Sequence, residues 1–199
     1  MFYNCFTIGI DLDDTFEGLL PAWIAWLNAK YNLNVLLEDF TEWNVQKIYP
    51  SLTAEQIFEP LHLPEFWQTV KPKPGAVEYI RKLINEGQDI YIVTSSKYTT
   101  FPFKLDEALF KYLPELDYHN VIVTYQKQLI KLDILVDDGY HNLENGDYIR
   151  ILFDAPHNQN IEENAVTKCK RVKSWEEVYN FIKHLDWFYT INGLSTIKY

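Results

Sequence analysis

The sequence predicts an α/β fold in which helices cover both faces of a mainly parallel sheet. Short apolar runs of strand length alternate with segments of helical period over most of the chain. Several of these runs end in polar or acidic residues, as strands do where they leave an open parallel sheet at its carboxyl edge. Residues 17–71 break the alternation and have a helical pattern, so an insertion is expected after the first strand.

The predicted strands are short apolar runs bounded by polar or turn-forming residues. Listed in chain order, they are Phe6–Ile10, Asp89–Val93, Val121–Thr124, Ile134–Val136 and Ile149–Phe153. Helical segments lie between most of them, which is the pattern of parallel strands joined by crossover helices.

Two of the predicted helices have recognisable ends. One begins at Pro74-Gly75, carries apolar residues on one face and stops at Gly87. The last helix begins near Ser174, because Ser174 and Glu177 have the spacing of a capping box.

The segment 17–71 is predicted to be a small helical cap over the strand ends. Its first apolar residues follow a helical period, with Pro21 in the first turn. The sequence Lys71-Pro-Lys-Pro74 is typical of a stiff linker that returns the chain to the sheet. We therefore expect a core domain made of residues 1–16 and 72–199, interrupted by the cap.

Composition and charge narrow the classes of function. The chain of 199 residues has a net charge of −10, which argues against binding polymeric nucleic acid through its phosphate backbone. No apolar segment approaches the ~20 residues that span a bilayer, and no secretory leader is visible, so we expect a cytoplasmic protein without a membrane partner. The aromatic tail, residues 186–199, fits either internal packing or a contact in a homodimer.

The first predicted strand ends in three carboxylates within four positions, Asp11, Asp13 and Asp14. Two carboxylates ~4 Å apart repel by about 4 kcal/mol at an effective dielectric constant near 20. A divalent cation, a shared proton or a positive side chain would offset that repulsion. The alternative is an ordinary acidic turn, since Asp is common in turns.

Polar residues also follow the later strands. Thr94 and Ser95 end the second, Lys127 follows the third by three residues, and Asp137 and Asp138 end the fourth. Taken singly, these are typical of a helix cap, a surface lysine and a turn. Together they suit phosphoryl transfer through an aspartyl phosphate, in which a lysine and Mg²⁺ lower the barrier to attack on an anionic phosphorus.

In this order the elements Asp-x-Asp-x-Thr, Thr-Ser, Lys and Asp-Asp resemble the phosphatases of the haloacid dehalogenase (HAD) superfamily. Within it the chain is most similar to the 5'(3')-deoxyribonucleotidases. The further similar segments are Lys73–Val77, Ile92–Ser95, Ile151–Phe153 with His157–Gln159, Val172–Trp175 and Trp43-Asn44. The resemblance implies a Rossmann-like core with the helical cap inserted after the first strand.

The resemblance also implies roles for the acidic residues. Asp11 would be the nucleophile and a ligand of Mg²⁺, and Asp13 would be the acid/base, with its backbone carbonyl on the metal. Asp138 would be a further metal ligand, and Asp137 would support Asp138 without itself binding the metal.

The remaining implied roles concern the substrate. Thr94 and Ser95 would hold the phosphate and Lys127 would neutralise it. The candidate contacts to the base and sugar are Leu19, Trp43 and Tyr125. Tyr125 stands where characterised mammalian relatives carry a basic residue, so base preference does not follow from the resemblance.

The expected function is Mg²⁺-dependent hydrolysis of nucleoside monophosphates, preferably deoxyribonucleotides. One alternative keeps the chemistry and acts on another small phosphomonoester such as a sugar phosphate. Another is a non-enzymatic phospho-acceptor like a receiver domain, although such domains carry the phosphorylated Asp after a later strand and lack an insertion after the first.

Overall fold

A computed structural model describes residues 3–42, 44–97, 99–164 and 167–193, in which six parallel strands form one sheet. The strands are β1 Thr7–Ile10, β2 Asp89–Thr94, β3 Val121–Val123, β4 Ile134–Asp137, β5 Ile149–Phe153 and β6 Cys169–Val172. Their order across the sheet is β3-β2-β1-β4-β5-β6. The predicted parallel α/β fold is therefore confirmed.

Strand β1 lies in the middle of the sheet. Ile8 pairs with Ile90 of β2 on one side and with Ile134 of β4 on the other. A strand paired on both edges and covered on both faces needs apolar residues at consecutive positions, which explains the unbroken apolar run. The same position brings the end of β1 to the centre of the carboxyl edge.

Helices cover both faces of the sheet and also occur within the segment 17–71. They are α1 Leu19–Tyr31, α2 Val45–Ile48, α3 Ala54–Phe58, α4 Pro64–Trp67, α5 Ala76–Asn85, α6 Phe101–Lys104, α7 Tyr140–Leu143 and α8 Trp175–Ile191. Helix α6 continues as a π-helix over Leu105–Phe110. No helix within the described ranges is both long and apolar enough to traverse a bilayer.

The two helices with predicted ends pack together on one face of the sheet. Helix α5 begins after Gly75, whose φ of 78° favours glycine. At the start of α8, the Ser174 hydroxyl accepts a hydrogen bond of 3.2 Å from the backbone N–H of Glu177. Residues 186–191 of the aromatic tail belong to α8, and residues 194–199 lie outside the described residues.

The segment 17–71 has a hydrophobic cluster of its own, built from α1, α4 and the turns between them. Its two connections to the core run side by side. Gly18 N–H donates to the Lys71 carbonyl at 2.9 Å, and Lys73 N–H donates to the Phe16 carbonyl at 2.8 Å. This pairing fixes the segment to the carboxyl edge of the sheet, immediately after the acidic loop that ends β1.

Strand β6 is absent from the strands predicted by the sequence. Its basic residues suggest a solvated surface, and indeed β6 lies at an edge of the sheet, where charged side chains are common. Cys169 and Val172 are nevertheless buried, and Arg171 holds Asp154 at 2.6 Å. Because the charged residues Lys170 and Arg171 lie between these two buried residues, the segment lacks the apolar run by which the other strands were predicted.

Candidate active site

The parallel sheet brings the predicted polar residues to one edge. Asp11 follows β1 directly, Thr94 is the last residue of β2, and Asp137 is the last residue of β4. Neighbouring parallel strands end at the same level, so the side chains that follow them converge. All three residues are at least nine-tenths buried.

Three carboxylates form the centre of the site. Oxygen atoms of Asp11, Asp137 and Asp138 lie within 4.8 Å of one another. Lys127 reaches into this group from the turn after β3, with Nζ 2.5 Å from Asp11 Oδ1 and 2.7 Å from Asp137 Oδ2. Two of the three carboxylates thus have a positive partner at contact distance.

Burial sets the electrostatics of this group. Burial raises the pKa of Asp11 well above its ordinary value, and the Lys127 ammonium offsets part of that rise. Burial alone would lower the pKa of Lys127, but the carboxylates of Asp11 and Asp137 raise it above its usual range. The lysine is therefore held in its charged form against the two carboxylates.

Asp138 lies on the side of the cluster away from these lysine contacts. Thr15 Oγ1 donates to Asp138 Oδ1 at 3.4 Å, and Asn158 Nδ2 donates to the Asp138 backbone carbonyl at 2.8 Å. Asp138 Oδ2 accepts no hydrogen bond from the described residues, although His157 Nε2 lies 3.2 Å away. Burial and then Asp137 raise the pKa of Asp138 to about 8.

These donors suit a divalent metal ion. The buried Asp138 Oδ2 accepts no hydrogen bond among the described residues, so it is available as a ligand. Three carboxylates and one lysine leave an excess of negative charge, and ligands that are all oxygen match hard cations such as Mg²⁺ or Ca²⁺. Asp11, Asp137 and Asp138 are the residues whose side chains could hold such an ion.

The side chain of Asp13 is not part of this cluster. Its Oδ2 accepts a hydrogen bond from Nζ of Lys104, a residue on α6, and its Oδ1 has no hydrogen-bond partner within the described part of the chain. The carboxylate is about a quarter exposed, at 27%. Asp11 and Asp13 therefore face different surroundings although they are two residues apart.

The predicted phosphate-binding residues lie beside this carboxylate. Thr94 Oγ1 and Ser96 Oγ are 2.8 Å apart and share a hydrogen bond. Ser95, between them in sequence, is half-buried.

The structure describes two of the three predicted substrate contacts. Leu19 is buried in the hydrophobic cluster of the segment 17–71, and Tyr125 is 71% exposed near the turn that carries Lys127. Trp43 lies outside the described residues. The structure thus brings Lys127 together with three of the acidic candidates, and the substrate contacts stay predictions.

Sequence reasoning missed several buried polar residues around the site. Lys104 is 1% exposed and Glu17 is fully buried, yet neither belongs to a motif with recognisable spacing. Asp14 is also buried, has a φ of 52°, and accepts a hydrogen bond of 3.0 Å from the backbone N–H of Leu20 at the start of α1. The acidic run signalled Asp14, and the chain offered no comparable signal for Lys104 or Glu17.

Comparison with known proteins identifies the family. A model of the family described as 5' nucleotidase, deoxy (pyrimidine), cytosolic type C protein (NT5C) matches residues 4–186. The chain belongs to this family. As a member of the deoxyribonucleotidase family within the HAD superfamily, it is a phosphoric monoester hydrolase of the 5'-nucleotidase type. Its substrate is accordingly a small nucleotide.

Individual relatives agree with the assignment to the deoxyribonucleotidase family. A 5'(3')-deoxyribonucleotidase of Bacillus subtilis strain 168 is 32% identical over 174 residues, covering 86% of this chain and 95% of the relative. One from Clostridium acetobutylicum is 33% identical over 171 residues, covering 86% of this chain and 91% of the relative.

A solved structure supports the fold. The HAD hydrolase YfnB of Bacillus subtilis, solved with bound magnesium, superposes with a TM-score of 0.55 at 13% identity. The superposition covers 90% of this chain and 99% of that one. At this level of identity the comparison shows that the HAD fold is shared. The resemblance drawn from the sequence to HAD phosphatases of the deoxyribonucleotidase type is therefore confirmed.

Proposed function

We propose that the protein hydrolyses deoxyribonucleoside monophosphates to nucleoside and phosphate, with Mg²⁺ as cofactor and Asp11 as nucleophile. The observation that carries the proposal is the contact of Asp11 with Lys127 inside a buried group of three carboxylates. A lone buried carboxylate would be a poor nucleophile toward a phosphate dianion, because both are negative. Here a lysine lies against it, and the neighbouring carboxylates suit a divalent cation.

The reaction would proceed in two steps. An oxygen of Asp11 forms a bond to phosphorus while the bond from phosphorus to the ester oxygen breaks, and Asp13 donates a proton to that oxygen. Water then attacks the phosphorus of the aspartyl phosphate, Asp13 takes up its proton, and phosphate leaves Asp11. Bound Mg²⁺ would supply positive charge that stabilises the phosphoryl oxygens.

Other residues would position the substrate. Thr94, at the end of β2, presents a hydroxyl that can donate to a phosphoryl oxygen, and Ser95 follows it. Lys127 would neutralise the same group. Asp11 and Asp138 would hold the cation together with the backbone carbonyl of Asp13, and Asp137, whose oxygens accept hydrogen bonds from Lys127, Gly139 and Asn142, would support these ligands. Leu19, Trp43 and Tyr125 remain predictions for the base and sugar.

The test is phosphate release from dUMP, dTMP, ribonucleotides and sugar phosphates, with Mg²⁺ and with chelator. Asp11→Asn should abolish release, whereas Asp147→Asn, which changes an exposed carboxylate beyond α7, should not. Acid-quenched wild-type protein should gain the mass of one phosphoryl group, and Asp11→Asn should not. Release by Asp11→Asn at the wild-type rate would overturn the mechanism, and preference for a sugar phosphate would overturn the substrate.

We also propose that the protein forms a homodimer and is located in the cytoplasm. Sedimentation velocity measures the oligomeric state, and fractionation of the source cells measures the location.

A further inference from the structure

A second buried lysine lies beside the site, and the mechanism above does not use it. Lys104 is the last residue of α6 and is 1% exposed. Its ammonium donates hydrogen bonds to the Asp13 carboxylate and to the Ser96 hydroxyl. Lysine is rarely buried to this extent because removing its charge from water is costly, so its partners must offset that cost.

These contacts form a continuous chain of hydrogen bonds. It runs from Asp13 through Lys104 to Ser96, whose hydroxyl is 2.8 Å from Thr94 Oγ1. The chain therefore joins the carboxylate expected to protonate the leaving group to the hydroxyl expected to hold the phosphate. Because the buried Lys104 is hydrogen-bonded to both residues, it restricts the rotamers of Asp13 and Ser96. Restricting rotamers in this way maintains the geometry of an active site.

The charges around Asp13 make Lys104 its cationic partner. Lys127 contacts Asp11 and Asp137, on the other side of the nucleophile. Glu17, the other acidic group near Lys104, is fully buried and lies against the Asp13 carboxyl group. Lys104 is therefore the cation that faces this pair of acidic side chains.

We propose that Lys104 is a positioning residue for Asp13. It holds the carboxyl group apart from the three-carboxylate cluster and orients it toward the oxygen of the leaving group. The inference rests on the proposed function. In the first step the bond from Asp11 to phosphorus forms, the ester bond breaks and the proton moves from Asp13 to the ester oxygen. Lys104 takes no part in the proton transfer.

A pair of substrates separates this role from a structural one. The first is dUMP, whose 5'-oxygen leaves as an alkoxide and needs a proton. The second is its bridging phosphorothiolate, in which the 5' leaving atom is sulfur and a thiolate departs without protonation. A residue that orients the general acid affects the first substrate selectively, since general acid catalysis contributes about 10²–10⁴-fold to rate.

Lys104→Met should lower kcat/KM for dUMP by about 100-fold and for the phosphorothiolate by less than about 10-fold. The control is Lys111→Met, which changes an exposed lysine two turns further on and should leave both values unchanged. Ser96→Ala removes one partner of Lys104 without removing a charge, and should shift the ratio of the two kcat/KM values in the same direction. It provides the test if Lys104→Met fails to fold.

Equal losses on the two substrates in Lys104→Met, or an unchanged ratio in Ser96→Ala, would overturn the positioning role. A wild-type protein that hydrolyses neither substrate would instead overturn the proposed function. The two failures are therefore distinguishable.

Discussion

The carboxylate cluster makes a quantitative prediction for Asp138→Asn. In the metal-free protein, Asp138 faces two other carboxylates at no more than 4.8 Å, and each pair repels by about 3.5 kcal/mol at an effective dielectric constant near 20. The two cations that act on Asp138, Lys73 and Lys127, together offset about one of these repulsions. The remaining repulsion destabilises the folded protein by about 3.5 kcal/mol, and Asp138→Asn would remove it.

The assay is chemical unfolding in chelator and in Mg²⁺ at pH 9, above the pKa of about 8 that burial and Asp137 give Asp138. In chelator, Asp138→Asn should be more stable than wild type by about 3 kcal/mol, or roughly 6–12 °C in Tm for a chain of this size. Mg²⁺ at 100 times its Kd should stabilise wild type by about 2.7 kcal/mol and the variant by much less.

Two results would refute this reasoning. One is a variant that is less stable than wild type in chelator, which would mean that Asp138 is stabilised rather than strained by its neighbours. The other is equal stabilisation of both proteins by Mg²⁺, which would mean that Asp138 does not bind the cation. Asp147→Asn, at an exposed position, should behave like wild type in both solutions.

Three further predictions concern the same region. Lys127→Met leaves two buried carboxylates without their cation and should cost about 3–5 kcal/mol in urea unfolding; a loss below about 1 kcal/mol would contradict the buried ion pairs. Asn158→Ala removes the donor to the Asp138 carbonyl and should weaken Mg²⁺ affinity about 10–100-fold in a calorimetric titration, so unchanged affinity would count against that support. Burial and neighbouring charge raise the pKa of Asp14 and Asp138 from 3.8 to about 8, so the metal-free protein should lose stability as pH rises from about 4 to about 8 and then level off. Saturating Mg²⁺ should flatten this dependence, and a metal-free protein that gains stability over that interval would show that these carboxyls are not raised.

The features that could be predicted from the sequence are those written in local patterns. The run ending at Asp11 predicted a buried strand, and the structure explains the run because a strand paired on both edges and covered on both faces is apolar at every position. The polar residues after β2 and β4 were predicted to converge because neighbouring parallel strands end at one edge. Convergence follows from topology alone, without knowledge of any side-chain conformation.

Features that depend on contacts distant in sequence could not be predicted in this way. Lys104 meets Asp13, which is 91 residues away in sequence, only in the folded chain, and nothing in its local sequence distinguishes it from a surface lysine. Leu19 lies on the buried face of α1, in the hydrophobic cluster of the segment 17–71, and its role as a substrate contact stays a prediction. Trp43 lies outside the described residues, so its predicted role is still a prediction.

The two buried lysines divide the carboxylates of the site according to what the proposed reaction requires of each. Asp11 must be ionised to attack phosphorus; burial raises its pKa, and the Lys127 ammonium that it contacts offsets part of that rise. Asp13 must give up a proton and take one back, and it lies where it is partly exposed to solvent and bonded to a different cation. The Asp13 carboxylate itself raises the pKa of Asp11, so the two groups remain coupled through their charges. A cation paired with Asp13 weakens that effect, which is why the Lys104 contact matters for the chemistry as well as for packing.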